Sequence, residues 1–301
     1  MILANADSIK SGMHNVAAVF SGTDLIYMTQ ADTSILTYQI NSSNTAYSIT
    51  GTGSGILFGH LDLPSTYNGL PVTAIADGTN STRVAFFNND YIRKVTIPSS
   101  ITTIGSRAFS FSDRITTIIL HNNISSIGFN AFEGLSKLSS ISLPSGLTEL
   151  DTGLLSGCTS LTSITIPSGV TAIGASVFNG TSISSITIPS LVNSIGNNTF
   201  ASCTSLTSIT IPNSVTLLGR DLFNGCSALT SATFGSGITE IRERTFFNCT
   251  SLSTINCLAT TAPTLTDTNA FGNVSATEFH VPTGATGYSA TYGGLTVVKD
   301  L

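Results

Sequence analysis

The segment LTSITIPSGVTAIGASVFNG, which begins at Leu161, recurs along the chain at an almost fixed step, and that recurrence limits the fold more than any other feature. Its proline, Pro167, has counterparts at Pro98, Pro144, Pro189 and Pro212, with His121 and Gly235 in the same slot. Successive steps from 98 to 235 are 23, 23, 23, 22, 23 and 23 residues. A mostly aromatic slot keeps that step through Phe109, Phe132, Leu155, Phe178, Phe200, Phe223 and Phe246. So does an apolar slot before a turn: Ile104, Ile127, Leu150, Ile173, Ile195, Leu218 and Ile241. One such unit cannot bury its apolar edge alone, whereas stacked neighbours build a continuous core. The chain is a repeat solenoid.

Elementary stereochemistry predicts the path of one coil. In Leu161-x-x-Ile164-x-Ile166, the two isoleucines share one face of a β-strand, a geometry that β-branched residues favour. Pro167 ends the strand, having no N–H for a ladder. Residues 170–173 form a second short extended segment, Gly174 permits a tight turn, and Phe178 fills the interior. About nine coils at the spacing of paired strands make a rod on the order of 45 Å long.

These residues resemble the BspA-type (Treponema pallidum-type) leucine-rich repeat, whose consensus has IP after the strand and an IG…AF…C segment. The likeness extends upstream through YQINSSNTAYSITGTGSGILFGHLDLPSTYNGLPVTAIADG, where LPSTYNGLPVTAI is a divergent first coil. Downstream it reaches APTLTDTNAFGNVSATEFHVPTGATGYSATYGG, an apolar strand followed by a capping tail. Departures are Leu150-Asp151 and Ile241-Arg242 for IG, Leu155 for the aromatic residue, and His121 and Gly235 for proline; none is expected to break the register. The resemblance implies a leucine-rich-repeat array with one parallel β-sheet face and 22–23-residue coils. It also implies an interaction surface, in a family of adhesins and surface proteins. The chain divides accordingly into an N-terminal element (1–34), an N-terminal cap with a divergent first coil (35–90), the array (91–282) and a C-terminal cap (283–301).

Residues 1–34 lack the repeat. Two apolar stretches, 15–20 and 25–28, flank Ser21-Gly22-Thr23-Asp24 and predict a hairpin, which is marginal on its own in water. With residues 39–58 available to cap the array, the hairpin is free to attach the chain to a sister copy or to another protein. NVAAVFSGTDLIY (15–27) resembles a short element of tailed-phage structural proteins. No signal-peptide pattern precedes it, since Lys10 follows the first apolar residues and the run 16–20 is short. Together these favour a virion component, a phage tail or surface protein contacting a host. The alternative is a bacterial cell-surface adhesin.

Charge is scarce: 9% of residues are charged and the net charge is −5, while 43 Ser and 45 Thr supply the polarity. A basic patch for phosphates is missing, so nucleic acid is not an expected partner. Cys158, Cys203, Cys226, Cys249 and Cys257 include no CxxC pair, which excludes a zinc signature. Four of them share a slot three residues before the strand, also taken by Leu135 and Gly180, and are read as small buried side chains with free thiols. His14, His60, His121 and His280 stand in no catalytic or metal-ligand spacing, and no nucleophile motif is present. Glu240 and Glu243 lie one coil from Asp221, but Arg220, Arg242 and Arg244 accompany them, so an ion-pair patch is expected rather than a Ca²⁺ site. No enzyme activity, metal or cofactor is expected.

The candidate binding surface is the outward strand face, which carries two columns. One runs Lys94, Thr117, Ser140, Ser163, Ser185, Ser208, Ser231 and Thr254; the other runs Thr96, Ile119, Ser142, Thr165, Thr187, Thr210, Thr233 and Asn256. Regular hydroxyl columns suit a glycan, ice or a protein. Leucine-rich arrays curve, which spoils a match to ice, and the absence of tryptophan weighs against a sugar. A protein partner is the expected ligand.

Overall fold

The computed structural model describes residues 18–21, 24–28, 33, 36–52, 59–78 and 86–301. From residue 36 onward the described chain winds as a succession of short strands and turns. A complete 3₁₀ turn is described at Thr268–Phe271, capped by Asp267. From residue 103 to residue 265 each coil contributes one segment to a front face and one two-residue strand to a second face, and apolar side chains point between them.

The front face begins with parallel strands Gly59–Asp62, Ile92–Thr96 and Thr117–Ile119, with a single bridge from Thr117 to Ser140. It resumes with Ser208–Ile211, Ser231–Phe234, Thr254–Cys257, Glu278–Val281 and Leu295–Lys299. Thr291–Tyr292 closes that edge antiparallel to Leu295–Lys299. Between Ser140 and Ser208 this face has no paired strands. The strand expected at 161–166 is therefore extended chain without a ladder. Ile166 is buried there, but Ile164 and Ile186 are only half-buried.

The second face starts from the antiparallel pair Leu36–Ile40 and Tyr47–Thr52, then runs parallel through Leu70–Ile75, Thr103–Ile104 and Ser126–Ile127. A separate run joins Glu149–Leu150, Ala172–Ile173, Ser194–Ile195 and Leu217–Leu218, and a third joins Glu240–Ile241 to Thr264–Leu265. Registers follow the sequence repeat throughout, as with Ile173 opposite Ile195 and Leu218 opposite Ile195. The second extended segment of each coil is thus where the pattern places it.

The aromatic slot is fully buried and stacked. Phe178–Phe200, Phe200–Phe223 and Phe223–Phe246 have ring centroids 5.5, 5.3 and 5.2 Å apart, with planes within 15°. A shorter stack, Phe86–Phe109–Phe132, precedes it at 5.0 and 6.0 Å, and Leu155 stands between the two. The turn is not made where glycine suggested. Gly174 lacks a positive φ; Ser176, two residues on, has φ 57°, as do Asn198 and Asp221 at φ 56° in the same slot. Glycine is needed at 174 for closeness instead, because a Cβ there would stand 2.7 Å from Thr152 N.

At the N-terminus, Ala18–Ser21 and Asp24–Met28 pair antiparallel as a two-stranded sheet, the position read as a hairpin. Residues 1–17 and His14 with them lie outside the described residues.

Candidate functional site

The repeat fixes where the columns point. On each front segment, alternate residues turn inward, such as Ile209 and Ile211, so their neighbours face solvent. Ser140, Ser142, Ser163, Thr165, Ser185, Thr187, Ser208, Thr210, Thr254 and Ile119 are exposed; Lys94, Thr96, Thr117, Ser231, Thr233 and Asn256 are half-buried. Where strands pair, the columns are in direct register: Thr117 opposite Lys94, Ser208 opposite Ser231, and Thr233 between Thr210 and Asn256. In the unpaired stretch they open onto a groove of about 240 Å³ lined by Ile141, Ser142, Leu143, Ser145, Thr165 and Pro167.

Hydroxyls divide into two kinds. Those one step before the first column stitch coils together: Thr116, Thr207, Thr230 and Ser253 donate to the carbonyls of Arg93, Ser184, Thr207 and Thr230. Column hydroxyls make no such bond, apart from Thr96, whose Oγ1 lies 3.0 Å from His60 Nε2. Much of the Ser and Thr content is therefore structural, and the columns remain available.

The thiols are internal. Sγ of Cys158, Cys203, Cys226 and Cys249 donates to the carbonyl of Phe132, Phe178, Phe200 and Phe223 at 3.0–3.2 Å. All five cysteines are free and buried. Burial pushes the Cys158 and Cys203 thiols up to about 12, which suppresses the thiolate a nucleophile or metal ligand requires. The slot given to Gly180 belongs instead to Thr181, whose N–H bonds Phe178 O and whose Oγ1 lies 3.4 Å from Cys203 Sγ. The 22-residue coil drops its residue after this slot, not before it.

The remaining candidates resolve as follows. His60 pairs with Asp62 at 2.9 Å, His280 lies 3.0 Å from Asp300, and His121 is exposed in its turn. Among the described residues no group of three or more His, Cys, Asp or Glu could hold a metal ion. No described helix is long and apolar enough to cross a membrane. The acids near residue 240 form the expected ion-pair patch: Arg244 grips buried Asp221 through Nε and a terminal nitrogen at 2.9 and 3.1 Å, and Arg242 Nε meets Glu240 at 2.9 Å. One cluster escaped the sequence reading. Tyr38 and Tyr67 stack at 3.8 Å, with Tyr47 edge-on to Tyr67 at 5.0 Å, ahead of the repeats. Three strands bring these rings together, and no sequence spacing announces it.

Parallel front strands, a second face of two-residue strands and an aromatic interior define a leucine-rich-repeat solenoid. Residues 80–207 and 171–290 match the BspA type leucine rich repeat region in six copies. The chain belongs to that family, a class of generally non-catalytic, protein-binding repeat modules. Among solved structures, a leucine rich cell surface protein from Faecalibacterium prausnitzii is similar, at 22% identity with 95% of each chain covered and a TM-score of 0.47. The T. pallidum leucine rich repeat protein shares 22% identity over 84% of this chain and 86% of that one, with a TM-score of 0.36. The pneumococcal vaccine antigen PcpA shares 14% over 89% and 97%, with a TM-score of 0.41. No curated protein matches the sequence.

Proposed function

We propose that this protein is an adhesin-like recognition module displayed at a bacterial cell surface, binding a host or matrix protein through its front strand face. Family membership supports the surface role. The virion reading rests on features of residues 1–27, which lie outside the family match. The observation that carries the binding role is the pair of exposed and half-buried columns, whose hydroxyls, Thr96 apart, hold no coil together. Purified protein should label host cells saturably in flow cytometry. Replacing Ser208, Thr210, Ser231 and Thr233 together by Arg should abolish labelling while circular dichroism stays native. Labelling that survives those four arginines removes the strand face from the proposal. Immunogold on intact source cells and on purified phage particles separates the two locations.

We further assign residues 1–34 to attachment, through pairing of the 18–28 hairpin with another chain. A chain lacking 1–34 is expected to keep the solenoid's melting temperature and to lose surface retention or self-association. Normal retention defeats the assignment; unfolding makes the segment the solenoid's own cap.

A further inference from the structure

Ahead of the repeats the chain packs tyrosine where the array packs phenylalanine. Among the described residues the stack of buried phenylalanines starts at Phe86, and all five cysteines lie from Cys158 to Cys257. Neither device reaches Leu36–Ile40, the terminal strand of its sheet, which pairs with Tyr47–Thr52 on one side only. A terminal strand is where a sheet frays first. What holds the outer end of this one to the rest is the tyrosine cluster.

Tyr38 stands in that strand, and Tyr67 in Thr66–Tyr67, a two-residue strand antiparallel to Leu70–Ile75. Asn68 and Gly69, with φ 49° and 78°, make the tight turn that fixes Tyr67 in place. The two rings lie face to face, with centroids 3.8 Å apart and planes 12° from parallel. Stacked phenylalanine pairs of the interior stand 5.0–6.1 Å apart. At 3.8 Å the facing ring carbons are in van der Waals contact. Tyr47 is edge-on to both rings, 5.0 Å from Tyr67 and 6.3 Å from Tyr38. Tyr67 is 38% exposed, so an oxidant reaches it, while Tyr38 is half-buried. The pair Tyr288 and Tyr292 differs on each count: it is T-shaped at 5.5 Å, and its hydroxyls donate to the carbonyls of Ala259 and Pro263.

We propose that Tyr38 and Tyr67 are a site of oxidative cross-linking, joined as dityrosine by a haem peroxidase acting with hydrogen peroxide. Each phenol gives up one electron and one proton. The two phenoxyl radicals then form a carbon–carbon bond between ring carbons ortho to their oxygens. The hydrogen on each joined carbon moves to the oxygen and restores the phenol. The protein loses two hydrogen atoms, which reduce hydrogen peroxide to two waters. Coupling requires the rings to turn from face to face towards edge to edge, and Tyr67, exposed in a two-residue strand, has that freedom. Proximity selects the pair, because a radical on Tyr67 meets Tyr38 before it meets a tyrosine of another chain. The product closes the loop 38–67 and ties the terminal strand down, as a disulfide would. This site lies apart from the front strand face and does not rest on the recognition role above.

The test treats the full chain, dilute and folded, with a haem peroxidase and hydrogen peroxide. The expected product is a monomer two hydrogens lighter that shows dityrosine fluorescence. Cleaving the denatured product at aspartate, Asp62 included, puts Tyr38 and Tyr67 on separate fragments, which the link should hold together in mass spectrometry. Tyr38→Phe and Tyr67→Phe each keep a ring in the stack and should abolish the fluorescence of the monomer; Tyr47→Phe and Tyr91→Phe should retain it. In urea the links should scatter among several tyrosines. No loss of mass, a link that maps to Tyr47 or joins two chains, fluorescence that survives Tyr67→Phe, or the same preference in urea overturns the proposal. Amide exchange at residues 37–40 should slow in the linked chain, and unchanged exchange overturns the link's role as a tie.

Discussion

Residues 161–167 and 206–212 are the same heptapeptide, LTSITIP, yet they occupy different structures. The second contains the strand Ser208–Ile211, paired residue for residue with Ser231–Phe234, and its Ile209 is buried. The first belongs to no strand ladder, keeping a single backbone bond to a neighbouring coil, from Ser184 N–H to Thr162 O at 3.2 Å, and its Ile164 is half-buried. Propensity is identical by construction, so the cause lies in the surroundings. Just upstream of Ser208, Phe200 stacks on Phe178 and Phe223. Just upstream of Ser163, the slot holds Leu155, and the ring stack stops at Phe132 and restarts at Phe178. A filled slot alone does not pair a strand, since Phe178 stands just upstream of 183–188, which also lie in no strand; both unpaired segments border the break in the stack between Phe132 and Phe178.

The largest effect that tests this account is loss of a stacked ring. Phe200→Ala should cost about 3–5 kcal/mol, because it removes a fully buried ring and leaves a cavity between two others. Leu155→Ala removes less side chain and breaks no stack, so its cost should be smaller in the same urea titration. Equal costs would mean the stack carries no special share. The reverse change sharpens the comparison. Leu155→Phe should join the two stacks, raise stability by about 0.5–1.5 kcal/mol and slow amide exchange at Ser163 and Thr165. If it lowers the melting temperature without protecting those amides, the slot is too narrow for a ring and another cause must part the strands.

The sequence shows the register because a 23-residue repeat aligns every coil with the next, and the pairings of Ile173 with Ile195 and Ser208 with Ser231 follow it. It also places the buried phenylalanines, the free thiols and the ion pairs around Asp221, which need only an offset of one coil. The breaks in the second face are a different matter. Asp151 and Arg242, which stand at them, are visible as departures from IG, but the consequence depends on a backbone approach that only the stacked coils reveal. Reading Gly174 as the turn fails for the same reason: its missing Cβ relieves contact with Thr152, and the left-handed residue is Ser176. Thr181 was displaced from its slot because a missing residue can be placed on either side of it in a sequence alignment. The tyrosine cluster joins residues from separate strands without any repeat to relate them.

The smallest effect decides how to regard the hydroxyl columns. Thr230 donates to Thr207 O at 2.9 Å, so Thr230→Val deletes a bond between coils and should cost about 0.5–1.5 kcal/mol. Ser163 and Ser208 are equivalent column residues in the two copies of the heptapeptide, both exposed and with neither hydroxyl bonded to another coil. Ser163→Ala and Ser208→Ala should therefore each fall within about 0.5 kcal/mol of the unaltered protein, as for surface positions without a structural role. They should also agree with one another, although one strand is paired and the other is not. A larger cost at Ser208 than at Ser163 would show the hydroxyl taking part in strand pairing. The column would then belong with the stitching hydroxyls and lose its claim to be a surface kept free for a partner.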